Sequence, residues 1–144
     1  MIKEEISFLY EKDELKFSLA EEEYQSWIRK AIMEEGKKPG SLSYFFCCDS
    51  YLLNVNQHYL NHDTYTDIIT FDYVSGNLIS GDILISVERV RENAEKFQVP
   101  FEQEMKRVMI HGILHLLGYT DQNPQEQTVM RKKEDYFLTL HPSK

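Results

Sequence analysis

Cysteine is nearly absent from the 144 residues: Cys47 and Cys48 are the two present. They are adjacent and lie in an apolar run, so they read as buried thiols and not as a disulfide framework, in keeping with a reducing compartment. Proline and glycine are also sparse, with 4 and 6 copies. No segment is compositionally biased and no self-similar period emerges, which excludes repeat arrays and long disordered linkers. No run approaches the roughly 20 apolar residues that span a bilayer, and the charged start Met1-Ile2-Lys3-Glu4-Glu5-Ile6 lacks the apolar core of a signal peptide. The expectation is a cytoplasmic protein with no membrane partner. Positive charge is lacking as well. A formal net charge of −8 argues against a protein that holds nucleic acid chiefly by neutralising phosphates, because that contribution scales with the Lys and Arg presented to the backbone. An enzyme that touches RNA locally is not excluded. The basic residues thicken at Lys96, Lys106-Arg107 and Arg131-Lys132-Lys133, and the expectation for each cluster is a solvated helix face.

What is present is apolar material: 42% of residues are hydrophobic and 12% aromatic, enough for one domain spanning residues 1–144 with its own core. Ile6 and Phe8 alternate with polar neighbours as in a strand. From Ser18, read as an N-cap with Glu21 three residues on, the positions Leu19, Tyr24, Trp27, Ile28, Ala31 and Ile32 recur at helical spacing, and Gly36 stops the helix. After the break Lys37-Lys38-Pro39-Gly40, Leu42 to Cys48 reads as a buried strand, and Asp49-Ser50 caps a short helix through Leu52, Leu53, Asn56 and Tyr59. The β-branched segments Asp67 to Phe71 and Asp82 to Ser86 are expected to pair. Three helices follow: Val87 to about Gln98, Phe101 to about Leu117, and Gln125 to Leu138 after Asn123-Pro124. Trp27, Tyr44, Phe45 and Phe46 are assigned to the core, and the terminus from His141 to Lys144 is expected to fray. The fold class is α+β, a layered arrangement of about five helices on a small mixed sheet of about four strands.

The chemistry concentrates in His111-Gly112-Ile113-Leu114-His115-Leu116-Leu117-Gly118-Tyr119-Thr120-Asp121, at the end of the helix that starts at Phe101. Positions i and i+4 differ by about 40° around a helix axis and about 6 Å along it, so both imidazoles project from one face and can meet one ion. Gly118 ends the helix and lets the chain turn back, which returns Asp121 to the histidines. Two imidazoles and a carboxylate are the ligand set of an open catalytic zinc site with a fourth position for water, and the carboxylate also admits harder divalent metals such as manganese. The apolar residues on either side, from Val108 to Leu117, would make unpaired imidazoles costly, and a metal removes that cost.

The spacing is similar to the helix H-E-x-x-H-x-x-G-x-x-H of metzincin proteases, except that Gly112 stands where those enzymes carry the glutamate base. A closer likeness is to the YbeY family, whose pattern H-G-x-L-H-L-x-G-Y is matched by His111, Gly112, Leu114, His115, Leu116, Gly118 and Tyr119. Upstream, Asn56, Tyr59, Asp63 and Thr66 to Phe71 resemble its L-N-x-x-Y-R-x-x-D-x-P-T-D-V-L-S-F segment, and Gly81 to Ser86 its G-D-I-x-I-S strand. Met130 and Glu134 resemble its closing M-x-x-x-E. Three positions depart: Asp121 replaces the usual third histidine, Leu60 the arginine after Tyr59, and Tyr65 the proline before Thr66.

The resemblance implies a metal-dependent endoribonuclease, with Zn2+ held by His111, His115 and Asp121, acting in small-subunit ribosomal RNA maturation and ribosome quality control. It implies ribosomal RNA and the ribosome as partners, and the acidic balance adds a ribosomal protein that delivers the RNA. Beyond a metal-bound water, the catalytic candidates are Asp67 and Asp82, each of which is alternatively a strand-start turn cap. Two rivals stay open: a metal-dependent hydrolase of another class, such as a metzincin-like peptidase, and a ribosome-assembly factor in which zinc only staples the C-terminal helices. A structural zinc is normally closed by four protein ligands, so a fourth ligand from His58 or His62 would favour the staple. If Asp121 does not ligate, the third ligand is to be sought among His58, His62 and Glu134.

Overall fold

The structure, a computed structural model, describes residues 5–59 and 66–142. The fold is α+β. In chain order the elements are β1 (Glu5–Tyr10), a 3-10 turn (Asp13–Leu15), α1 (Glu21–Glu34), β2 (Lys38–Cys47), α2 (Asp49–Tyr59), β3 (Ile68–Asp72), β4 (Leu78–Ser86), α3 (Val87–Phe97), α4 (Phe101–Leu116) and α5 (Pro124–Thr139). The sheet order is β1-β2-β4-β3, with β1, β2 and β4 parallel and β3 antiparallel to β4. Parallel neighbours need crossover connections, which α1 supplies between β1 and β2, and α2 together with β3 between β2 and β4.

Side-chain alternation divides the molecule into two unequal layers. Ile6 and Phe8 of β1, Leu42, Tyr44 and Phe46 of β2, and Ile79, Ile83 and Ile85 of β4 face one way, into a core completed by α1, α3, α4 and α5. Cys47, Leu84 and Ile69 face the other way, covered by Leu52 of α2. Trp27, Tyr44 and Phe46 are buried, as expected of core aromatics, and Phe45 packs against the smaller cluster. Cys47 is a buried free thiol whose pKa is pushed up to about 12 by burial, then by the acids Glu11, Asp49 and Glu88 and by Cys48 beside it. Cys48 is half-buried and also free.

Several expectations are corrected. α1 begins at Glu21 behind Ala20 and no side chain caps it. Ser18 is therefore not the N-cap, and three consecutive glutamates at the positive end of the helix dipole stabilise the first turn instead. β2 starts at Lys38, so Pro39 and Gly40 belong to the strand, with a register shift between Pro39 and Leu42 that absorbs the missing proline donor. The terminus does not fray at His141, which is 2% exposed and packs edge-on against Tyr24 and Trp27. Nor does the Lys106-Arg107 cluster form a solvated face: Lys106 is buried, and Arg107 is ion-paired inward, whereas Lys96 is exposed as expected.

α4 positions the site. It runs beneath the sheet and is buried on most sides, and Tyr44 Oη donates to the carbonyl of Met109 at 2.9 Å. Position 112 faces the strands. A Cβ there would lie 3.0 Å from both Ile68 Cδ1 and Ile83 Cγ2, so a larger residue requires these two side chains to give by a few tenths of an ångström.

Candidate metal centre

The last two turns of α4 present His111 and His115 on one face, with ring centroids 4.5 Å apart. The helix then ends in a Schellman closure: Gly118 N–H donates to the His115 carbonyl at 3.0 Å and Tyr119 N–H to the Leu114 carbonyl at 3.0 Å. Gly118 takes a φ of 105°, open to glycine at no steric cost. The chain reverses there, and Asp121 arrives beside the histidines. Asn123 starts α5 by accepting from Glu126 N–H at 2.8 Å, with Pro124 in its first turn. Gln127 Nε2 donates to the Asp121 carbonyl at 3.1 Å, which holds the backbone of the returning segment to α5.

Three donor atoms converge. His111 Nε2 and His115 Nε2 are 2.9 Å apart, and Asp121 Oδ2 lies 3.4 Å from the first and 3.6 Å from the second. The side chains are 21%, 27% and 40% exposed respectively, so the cluster opens to solvent on one side. Two donors bound to one zinc at about 2.0–2.1 Å and a tetrahedral angle stand about 3.3 Å apart, within the observed spread. Among the described residues no other group of His, Cys, Asp or Glu is arranged to hold a metal ion.

The second nitrogen of each imidazole is engaged by an acceptor without a hydrogen of its own. His111 Nδ1 is 2.6 Å from Glu134 Oε2, and His115 Nδ1 is 3.0 Å from the Tyr119 carbonyl. Both Nδ1 atoms therefore carry the proton, and both Nε2 lone pairs point at each other and at the Asp121 carboxylate. Converging lone pairs repel unless a cation sits among them, so the donor set fits a divalent ion. Without one, the pair must share a proton. Burial pushes the His111 imidazole down, but the hydrogen bond and charge of Glu134, with Asp121 and Asp67, outweigh it and raise its pKa. Burial and then the charge at His111 lower that of His115.

Glu134, 5% exposed, is the organising carboxylate. Burial raises its pKa, yet hydrogen bonds from His111 and from Arg107 Nη1, 2.9 Å away, bring it below the usual range. Arg107 Nη2 donates to Asp135 at 2.7 Å. The fallback ligands do not reach the three donors as ligands: Glu134 serves Nδ1 of His111, and His58 is exposed on α2 with its Nδ1 on the Asn54 carbonyl. His62, Leu60, Asp63 and Tyr65 lie outside the described residues. Asp67 lines a cavity of about 300 Å3 beside His111, together with Glu104 and Glu134. Burial pushes its carboxyl above the ordinary range, partly offset by the charge at His111. Asp82 shares its sheet face with Leu84 and is hydrogen-bonded by Tyr73, away from this cavity. Of the two carboxylates only Asp67 is near the histidines.

Sequence reasoning missed the outer latch. Tyr119 Oη donates to Glu35 Oε1 at 2.5 Å and Lys133 Nζ to Glu35 Oε2 at 2.8 Å, which ties the loop orienting His115 to the end of α1. Tyr119→Phe and Glu35→Gln are expected to cost about 1 kcal/mol each and to weaken metal binding by about tenfold, the low end for groups that support a ligand. Burial raises the Glu35 pKa, but bonds from Lys133 and Tyr119 bring it below its ordinary value. Its contribution is therefore present above the unfolded carboxylate pKa of about 4.3 and lost as pH falls through the lower folded value. Thermal unfolding measured from pH 7 to pH 3 should show the gap between parent and Glu35→Gln closing at the acid end; a constant gap would deny the latch.

The domain is α+β, and its central helix and the turn that follows it bring together three donors that could hold a metal ion. The family model described as endoribonuclease YbeY matches residues 8–141, and the chain belongs to that family. It is 55% identical over 136 residues to an endoribonuclease YbeY of Flavobacterium psychrophilum, covering 94% of this chain and 95% of the relative. It is 48% identical over 122 residues to one of Phocaeicola vulgatus, covering 85% and 88%. A solution structure of a Thermotoga maritima protein is similar at a TM-score of 0.63 with 26% identity, covering 93% of this chain and 87% of that one.

Proposed function

We propose that the protein is a metal-dependent endoribonuclease of small-subunit ribosomal RNA maturation and ribosome quality control. It works in the cytoplasm as one domain over residues 1–144, with His111, His115 and Asp121 holding Zn2+ or another divalent ion. The observation that carries this is the lock on both imidazoles: Glu134 and the Tyr119 carbonyl hold the Nδ1 protons, leaving three lone-pair donors aimed at one point. Membership in a family described as endoribonuclease directs that chemistry to RNA. No helix among the described residues is long and apolar enough to cross a membrane.

An ion held there would supply Lewis-acid chemistry, polarising a phosphoryl oxygen or lowering the pKa of a water. The chain's own residues do the rest. Ile68 and Val108 form the apolar part of the cavity wall, while the burial-raised carboxyl of Asp67 lines the same cavity, placed to take or return a proton. Gly112 disfavours the peptidase rival, because the glutamate base of such enzymes is missing from that position, where even a Cβ would meet Ile68 and Ile83 at 3.0 Å. The acidic charge of the chain favours delivery of the RNA by the ribosome or a ribosomal protein.

Cleavage of single-stranded or structured small-subunit ribosomal RNA is expected, abolished by a chelator and restored by zinc or manganese, with casein-like peptides left uncut. A preparation that cuts peptides, loses that activity in His115→Ala and spares RNA would replace this reading with the hydrolase rival.

A further inference from the structure

The cavity beside His111 is, by its own charges, poorly suited to a polyanion. Its walls carry the carboxyl groups of Asp67, Glu104, Asp121 and Glu134 against the two guanidinium groups of Arg107 and Arg131. Even a divalent ion would leave such walls no better than neutral, on a chain of net charge −8. A phosphodiester brought there needs a cation that is not already spent. Arg107 is spent: its side chain is 14% exposed, and it donates to Glu134 and Asp135. Arg131 is not. It is solvent-exposed on α5, lines the same cavity, and among the described residues makes no hydrogen bond or ion pair, feeling Glu104 only through its charge.

We propose that Arg131 is the RNA-phosphate contact of this site, gripping a backbone phosphate at the cavity mouth with its planar fork of donors. The inference rests on the ribonuclease reading. A guanidinium matches two phosphate oxygens at once, and one that is exposed and unpartnered gives up no protein bond to do so. Its place on the helix adds precision. Arg131 stands one turn before Glu134, on the same stretch of α5, and Glu134 orients His111. The phosphate grip and the ligand support are thus carried by one rigid element, so a phosphate held by Arg131 has a set distance from the histidines.

The test is binding, not turnover. A fluorescent 2′-O-methyl oligoribonucleotide, which cannot be cleaved through its 2′ oxygen, is titrated by anisotropy over a salt series, once in chelator and once with one equivalent of zinc. Arg131→Ala is expected to bind several-fold more weakly, and its plot of log affinity against log salt should be shallower by about 0.7, the value of one single-strand phosphate contact. Arg131→Glu should bind more weakly still. Arg131→Lys should keep the slope and lose part of the affinity, because a point charge replaces a bidentate fork. Lys12→Ala, which removes an exposed cation beside β1 and α2, should match the parent. Metal content should be unchanged in all variants. If the parent binds and Arg131→Ala equals it in affinity and slope, the assignment of Arg131 is overturned while the ribonuclease reading stands. A parent that binds no RNA in either condition overturns both.

Discussion

His111→Ala and His115→Ala are each expected to emerge from purification without metal, whereas the parent carries about one equivalent of zinc. Either change removes one of three donors and leaves a two-ligand site, so affinity should fall by orders of magnitude. The loss should also be visible as stability. An ion that binds only the folded chain stabilises it by about 2.7 kcal/mol at one hundred times its Kd, so the melting temperature of the parent should drop on adding chelator. The variants should melt at one temperature with or without it. Their folds should survive, because His111 and His115 sit on the solvent-facing side of α4 at 21% and 27% exposure, while Met109, Ile110, Ile113 and Leu114 carry the packing. In His111→Ala the buried Glu134 keeps Arg107 as partner, and in His115→Ala the Tyr119 carbonyl is left near water. Elemental analysis with full occupancy in both variants would end the assignment.

The convergence of His111, His115 and Asp121 was legible in the sequence because it is local. His111 and His115 are one helical turn apart, Gly118 is the residue that a Schellman closure asks for, and Asp121 follows within a turn. The same holds for the three C-terminal helices, whose apolar period and Pro100 and Pro124 boundaries survive almost to the residue. What escaped was long-range. The Lys133–Glu35 pair spans 98 positions and the Tyr119–Glu35 bond 84, and no local pattern marks Glu35 as support for a histidine. Arg107 was read as part of a basic cluster although it lies four residues before His111 on the same helical face, a spacing that could have flagged it as a neighbour of the site. Asp67 and Asp82 looked equivalent as strand-start acids. The antiparallel register of β3 on β4 separates them along the strands: Asp82 pairs with Phe71 far down β3, whereas Asp67 precedes β3 and its carbonyl accepts from Ser86 N–H at the end where the cavity beside His111 lies. The start of β2 was misplaced because proline and glycine signal a turn locally, whereas at Pro39 and Gly40 the sheet accommodates them with a register shift.

Asp121→Ala is expected to weaken zinc binding by orders of magnitude, and Asp121→His to retain it. The contrast separates ligation from turn formation, and the structure supplies the reason to expect ligation. The turn is held through the backbone: the Asp121 carbonyl accepts from Gln127, and Gln122 N–H donates to Glu126 Oε1 at 3.0 Å. Among the described residues the carboxylate itself faces the imidazoles, at 3.4 and 3.6 Å. Removing it should therefore leave the helix end intact, with a stability cost in chelator below the roughly 1 kcal/mol typical of a lost cap. It should also leave the two neutral Nε2 donors without the one anionic donor, which contributes charge as well as geometry to holding a dication. A histidine at 121 restores a third donor of the kind that the family pattern carries there, one charge more positive overall, so its affinity should approach that of the parent and far exceed that of the alanine variant. Competition with a chromophoric chelator, run on the parent and both variants at one pH, measures all three. Parent-like affinity in Asp121→Ala would remove Asp121 from the site. With His58 exposed on α2 and Glu134 already committed to His111 Nδ1 and Arg107, it would leave His62 as the next residue to replace.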